Sequence, residues 1–130
     1  MKTVMAQGTF DILHPGHLYY FRKSAELGDK LVVVISTDIR AGESRDLCFS
    51  QGERKEMVNA LEVVDKAIIG FEGDIYATVE EVDPDVITLG YDQYHNEDEV
   101  REMAKEATGH EVDVERISEK EGYSSSDIRG

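Results

Sequence analysis

Residues 3–17 read Thr3-Val4-Met5-Ala6-Gln7-Gly8-Thr9-Phe10-Asp11-Ile12-Leu13-His14-Pro15-Gly16-His17. Thr3 to Gln7 is a short apolar run, suited to a strand, and Gly8 ends it. A glycine there lets the backbone turn tightly and approach a ligand closely. Proline is favoured in the first turn of a helix, so Pro15 marks where one begins. A strand, a glycine-headed loop and a helix start make up the repeating unit of an open α/β sheet.

The rest of the chain continues that alternation. Residues 17–27 have helix spacing, with Leu18, Phe21 and Ala25 on one face and Gly28 as the stop. Leu31 to Ser36 is a continuous run rich in β-branched residues, as expected of a central parallel strand buried on both faces. Residues 51–64 again have helix spacing, with Met57, Val58, Leu61 and Val64 as the stripe. Ala67 to Ile69 is a strand candidate, and Ile75, Val79 and Val82 fit a short helix. Val86 to Leu89 forms a strand that ends at Gly90. Val100, Met103, Ala104 and Ala107 mark a further helix, and Val112 to Ile117 a last strand. This order predicts an α/β fold in three layers, Rossmann-like, with a central parallel sheet. Ligands in such sheets bind at the carboxyl ends of the strands. The loops beginning at Gly8, Ser36 and Gly90 are therefore where chemistry is expected.

Composition narrows the possibilities. The chain has 130 residues, 40% of them hydrophobic, which is enough for a core. No repeat, low-complexity tract or Gly/Ser linker divides it, so residues 1–130 are read as a single domain. Fourteen Lys and Arg stand against 28 Asp and Glu, a formal net charge of −14. That charge excludes a general nucleic-acid binder, which needs clustered cations, and argues against an anionic membrane surface. No apolar run approaches the ~18–20 residues of a membrane span, and the N-terminus lacks a signal peptide's apolar stretch. Cys48 is the single cysteine, so neither an internal disulfide nor a cysteine-only metal cluster is expected. A cytoplasmic protein is the default expectation. So large an acid excess also suits a salt-adapted surface, a hypothesis that indifference of folding to dilution into low salt would refute.

Chemistry concentrates in the first loop. Thr9 offers a hydroxyl and a backbone N–H. His14 and His17 bracket Pro15 and Gly16 at the helix start, where free N–H groups and a positive partial charge attract anions. Two imidazoles placed there can donate hydrogen bonds to phosphate oxygens.

The motifs Gly8-Thr9-Phe10-Asp11 and His14-Pro15-Gly16-His17 resemble those of the HxGH nucleotidylyltransferase superfamily, in its cytidylyltransferase-like branch. The resemblance spans nearly the whole chain. Ile35-Ser36-Thr37-Asp38 looks like the end of the family's second strand, and Glu53-Arg54-Lys55 like a segment of its next helix. Gly90-Tyr91-Asp92-Gln93 is similar to its G-x-D motif, and Gly122-Tyr123-Ser124-Ser125-Ser126-Asp127-Ile128 to its closing motif.

The resemblance implies an enzyme that transfers a nucleotidyl group from a nucleoside triphosphate to a phosphorylated acceptor and releases pyrophosphate. It implies His14 and His17 as catalytic, in contact with the triphosphate, and Gly8, Thr9, Phe10, Asp11 and Gly16 as nucleotide-binding. Gly90 and Asp92 would line the nucleotide pocket, and Ser124, Ser125 and Ser126 would form a second phosphate cradle. Magnesium is implied by the triphosphate, held mostly by phosphates and water. A homodimer is also implied.

Two departures stand out. The loop after the second strand lacks the family's lysines, so Arg45 or Arg40 is expected to take the phosphate-gripping role. The family's arginine before the closing motif is absent, which leaves Lys120 or Arg116 for that role. Arg54 either binds nucleotide or pairs with Glu62 or Asp65 on the surface.

Two substrate pairs compete. The motifs ISTD and EGYSSSDI resemble cytidylyltransferases of the glycerol-3-phosphate type, which use CTP. AQGTFDILHPGH and LGYDQ resemble archaeal-type FAD synthases, which adenylylate FMN with ATP. The basic loop and C-terminal cysteines usual in the latter are missing, and the cytidylyltransferase is the favoured expectation. A nucleotide-binding module without catalysis is a third possibility.

The charge is unevenly spread. Residues 1–71 hold 9 basic and 10 acidic residues, a net of −1, whereas residues 72–130 hold 5 basic and 18 acidic, a net of −13. The half that carries Gly8-Thr9-Phe10-Asp11, His14-Pro15-Gly16-His17, Arg40, Arg45 and Arg54 is thus nearly neutral, and the overall acidity does not argue against a nucleotide.

Overall fold

A computed structural model describes residues 1–8, 10, 13, 15–37, 49–71, 75–90 and 96–117. The described elements run β1 (Thr3–Gly8), α1 (Pro15–Ala25), β2 (Lys30–Ile35), α2 (Gln51–Asn59), β3 (Lys66–Ile69), α3 (Ile75–Val82), β4 (Val86–Leu89), α4 (Glu97–Thr108) and β5 (Asp113–Arg116). The five strands form one sheet in the order β3-β2-β1-β4-β5. Every pairing is parallel. The Rossmann-like α/β expectation therefore holds.

Strand alternation separates two cores. Val4, Ala6, Leu31, Val33 and Ile35 pack with Tyr20 and Phe21 of α1 and Val58 of α2. Met5, Val34, Ile87 and Leu89 pack with Val79 of α3 and Val100, Ala104 and Ala107 of α4. The helix pair α1 and α2 thus covers one face, and α3 and α4 the other. Phe21 is fully buried, which contributes about 1.5–3 kcal/mol.

Two helix ends differ from expectation, each for a local reason. Helix α1 begins at Pro15, where the proline marks it, and ends at Ala25, where the turn tightens: Leu27 N–H donates to the Ser24 carbonyl at 3.1 Å. Gly28 lies beyond the helix and serves another purpose, since a Cβ there would stand 2.7 Å from the Lys2 carbonyl oxygen. The helix expected over 51–64 stops at Asn59. Its Asn59 Oδ1 accepts from Ala67 N–H at 3.0 Å, and Leu61 and Val64 close successive three-residue turns while still reaching the core.

The strand order reverses at β1. The chain steps outward from β1 to β2 and β3, then crosses back to place β4 on the other side of β1. The switch point therefore lies between β1 and β4, and the crevice above their carboxyl ends is the expected ligand site of such a sheet.

Candidate active site

The first strand-to-helix loop is anchored from below. Gly8 pairs with Ile35, and its carbonyl accepts from Ser36 N–H at 3.0 Å and from Ser36 Oγ at 3.3 Å. Two of the loops picked from the sequence are thereby fastened together. Phe10 follows with φ +52°, a left-handed conformation that costs a non-glycine residue about 1–2 kcal/mol. Its ring offsets that cost by burial. It is 6% exposed and meets Phe21 edge-on at 4.9 Å and Tyr20 at 6.3 Å between centroids. A Cβ on Gly8 would come within 2.6 Å of Phe10 Cζ. Glycine is needed at position 8 because this ring folds back over the strand end.

The Phe10 ring also carries His17. The two rings meet at 90°, with centroids 5.3 Å apart. His17 is the third residue of α1, after Pro15 and Gly16, and is half-buried. The chain thus brings Gly8, Phe10, Gly16 and His17 together at the carboxyl end of β1. The Phe10 side chain belongs to the core, so only its backbone is left to serve a nucleotide.

On the other side of the switch point, β4 ends at Gly90. The Gly90 carbonyl accepts from Arg116 Nη1 at 2.8 Å, and Arg116 Nε donates to Glu97 Oε1 at 2.9 Å. Arg116 sits opposite Leu89 in the β5 register. It braces the Gly90 turn while its charge is paired with Glu97.

Arg54 corrects one expectation outright. It is fully buried in α2, not paired on the surface with Glu62 or Asp65, and its Nε donates to the Phe49 carbonyl at 3.3 Å. Helix α2 follows β2, so its first turns lie towards the carboxyl end of the sheet. The neighbouring Glu53 instead closes a capping box with Ser50, each side chain bonding the other's backbone N–H.

Other site residues named from the sequence lie outside the described residues. These are Thr9, Asp11, His14, Arg40, Arg45, Asp92, Lys120, Ser124, Ser125 and Ser126. Among the described residues, no three of His, Cys, Asp and Glu stand together as a metal cluster, and no helix is long and apolar enough to cross a membrane.

Sequence reasoning passed over a buried polar cluster beneath this site. Tyr20, Ser24 and Thr88 join α1 to β4 through their hydroxyls. The signal was available: Thr88 interrupts an otherwise apolar strand, and Tyr20 and Ser24 lie four residues apart on α1.

Comparison with known proteins accords with this geometry. The cytidylyltransferase-like family model matches residues 5–130. A protein of Picrophilus torridus named FAD synthase is 50% identical over 129 residues, covering 97% of this chain and 92% of its own length. One of Thermoplasma volcanium with the same name is 46% identical over 132 residues, covering 99% and 92%. Among solved structures, a lipopolysaccharide core biosynthesis protein from Thermoplasma volcanium GSS1 superposes with a TM-score of 0.88 at 44% identity. It covers 93% of this chain and 99% of that one.

Proposed function

The chain belongs to the cytidylyltransferase-like family and is a nucleotidyltransferase, and we propose that its reaction is FAD synthesis from ATP and FMN. The observation that carries this reading is the seating of the Pro15-Gly16-His17 helix start beside the Gly8 turn, with His17 held by Phe10 near the switch point. The choice of ATP and FMN over CTP and glycerol 3-phosphate is supported by relatives of 46–50% identity that bear the name FAD synthase. The sequence alone favoured the cytidylyltransferase, and the relatives favour the second reading.

In this reaction a phosphate oxygen of FMN attacks the α-phosphorus of ATP. A new P–O bond forms, the bond from the α-phosphorus to the α,β-bridging oxygen breaks, and pyrophosphate leaves. The protein must position two anions and stabilise the spreading charge. The first turn of α1 offers backbone N–H groups to the triphosphate, and His17 with His14 donates to its oxygens. Gly8 keeps the strand end open for close approach, and Gly90 with Asp92 lines the nucleotide side. Arg45 and Lys120 are the proposed cations for acceptor and leaving group, and Ser124, Ser125 and Ser126 the second cradle. Magnesium would travel with ATP, bound mainly by its phosphates, and would neutralise charge there; Asp11 and Asp92 are the carboxylates nearest in sequence to the two loops. A homodimer and a cytoplasmic location belong to the same proposal. Exposed Phe71, Ile75 and Tyr76 offer apolar surface for pairing.

Pairing ATP or CTP with FMN or glycerol 3-phosphate, and following pyrophosphate, tests the reading. Release confined to CTP with glycerol 3-phosphate would overturn it.

A further inference from the structure

The pairing of β1 with β4 ends early. Val4 pairs with Val86 and Met5 with Ile87, and there the ladder stops. On its other side β1 remains paired to β2 as far as Gly8 opposite Ile35. Continuing the β4 register by two residues would set Gln7 opposite Leu89. In a parallel ladder the Gln7 N–H would then bond the carbonyl of the residue before its partner, which is Thr88. A side chain occupies that rung instead. Gln7 N–H donates to Tyr20 Oη at 3.3 Å, and Tyr20 Oη donates to the Thr88 carbonyl at 2.9 Å. One hydroxyl thus bridges β1 and β4 at the place where a direct rung would fall.

The inserted group is firmly placed. Thr88 Oγ1 donates to Tyr20 Oη at 3.3 Å, and Ser24 Oγ lies 2.8 Å from Thr88 Oγ1. With Thr88 donating to Tyr20, Ser24 supplies the proton to Thr88, and the chain of hydroxyls has one direction, ending on the Thr88 carbonyl. The Tyr20 ring is packed against Phe10 and Phe21. Directly beyond the inserted rung come Gly8 on β1 and Gly90 after β4, the two residues that open the loops flanking the switch point.

We propose that Tyr20 is a positioning residue: its hydroxyl spaces β1 from β4 and so sets the width of the crevice that receives the nucleotide. This rests on the proposed nucleotide site between the Gly8 and Gly90 loops. Phe at this position keeps the packing and removes the spacer. The strands can then close towards a direct Gln7–Thr88 rung, narrowing the crevice.

The test compares Tyr20→Phe with Ser24→Ala. Both remove one hydroxyl from the same buried cluster, but only the first removes the inserted atom. MgATP and MgCTP are titrated onto wild type and both variants by calorimetry, with thermal melts alongside. The expected result is nucleotide binding weakened on the order of tenfold in Tyr20→Phe, the equivalent of one lost hydrogen bond, and unchanged in Ser24→Ala. Both variants should melt at lower temperature than wild type. Equal affinity in Tyr20→Phe and wild type would overturn the inference, as would equal weakening in both variants, which would mark a general loss of stability. Wild type that binds neither nucleotide would refute the proposed site, and this inference with it. Wild type alone supplies an independent reading that needs no variant to fold. A through-hydrogen-bond coupling between the Gln7 nitrogen and the Thr88 carbonyl carbon should be absent, and its detection would show a direct rung and no spacer.

Discussion

Nε2 of His110 lies 2.8 Å from Oδ1 of Asp83, while Nδ1 of the same ring lies 2.9 Å from the Glu111 carbonyl. Both neighbours are acceptors, so both ring nitrogens donate only when the imidazole is protonated. The pKa of His110 is accordingly raised, first by the Glu111 carbonyl and then by the Asp83 carboxylate, with Asp85 adding a smaller attraction. The pair links the turn before β4 to the turn before β5, at the end of the sheet opposite the candidate site.

A raised folded-state pKa means that protonation favours folding. The contribution is complete below the unfolded value of ~6.5 and is lost as pH rises through the higher folded value. His110→Gln should therefore melt below wild type at pH 6, with the gap narrowing towards pH 9. Melting curves across that range check this, and a gap that does not change with pH would contradict it. Both groups are solvent-exposed, so the effect is a modest one.

Gly8→Ala tests the close approach at the strand end. The added methyl meets the Phe10 ring at 2.6 Å, so the ring must shift and take His17 with it. A displacement near 1 Å in a catalytic group costs on the order of 100-fold in rate. Steady-state kinetics should show that loss in a protein that still folds, and wild-type turnover would show that the ring yields without consequence.

His17→Ala removes one proposed phosphate donor from a half-buried surface position. Turnover should fall by about 100-fold or more, with the circular dichroism spectrum retained. Unchanged turnover would refute the role given to the HPGH segment.

Arg54→Ala removes a fully buried side chain and its bond to the Phe49 carbonyl. A loss of about 2–5 kcal/mol is expected in urea unfolding, the range for large-to-small changes in a core. A surface arginine would give a change within about 0.5 kcal/mol, and that outcome would contradict the burial described. Arg54→Lys should recover only part of the loss, since a single ammonium cannot replace the guanidinium fork.

The sheet was largely legible because its strands are apolar runs bounded by glycine or polar turns, as in Leu31–Ile35 and Val86–Leu89. Periodicity alone misplaced the end of α2, because Leu61 and Val64 keep helix spacing while packing from turns. The start of that helix at residue 51 was legible, and the Ser50-x-x-Glu53 capping box agrees with it. The burial of Arg54 was readable, since it stands three, four and seven residues before Met57, Val58 and Leu61 and so shares their stripe. The Tyr20–Thr88 bridge joins residues 68 positions apart, and its meaning depends on the β1–β4 register, which no local pattern reveals. In the candidate site, Gly8 and His17 were legible because a rare combination of glycine, proline and histidine marks them. The motifs that grip phosphates are common to acceptors of different kinds, so they do not choose among substrates.

Product analysis after incubation with MgATP carrying a radiolabelled α-phosphate, together with FMN, tests FAD synthesis most directly. Labelled FAD should appear in equal amount with pyrophosphate, and MgCTP with glycerol 3-phosphate should give neither CDP-glycerol nor pyrophosphate. CDP-glycerol formed from the second pair, with no FAD from the first, would contradict the account.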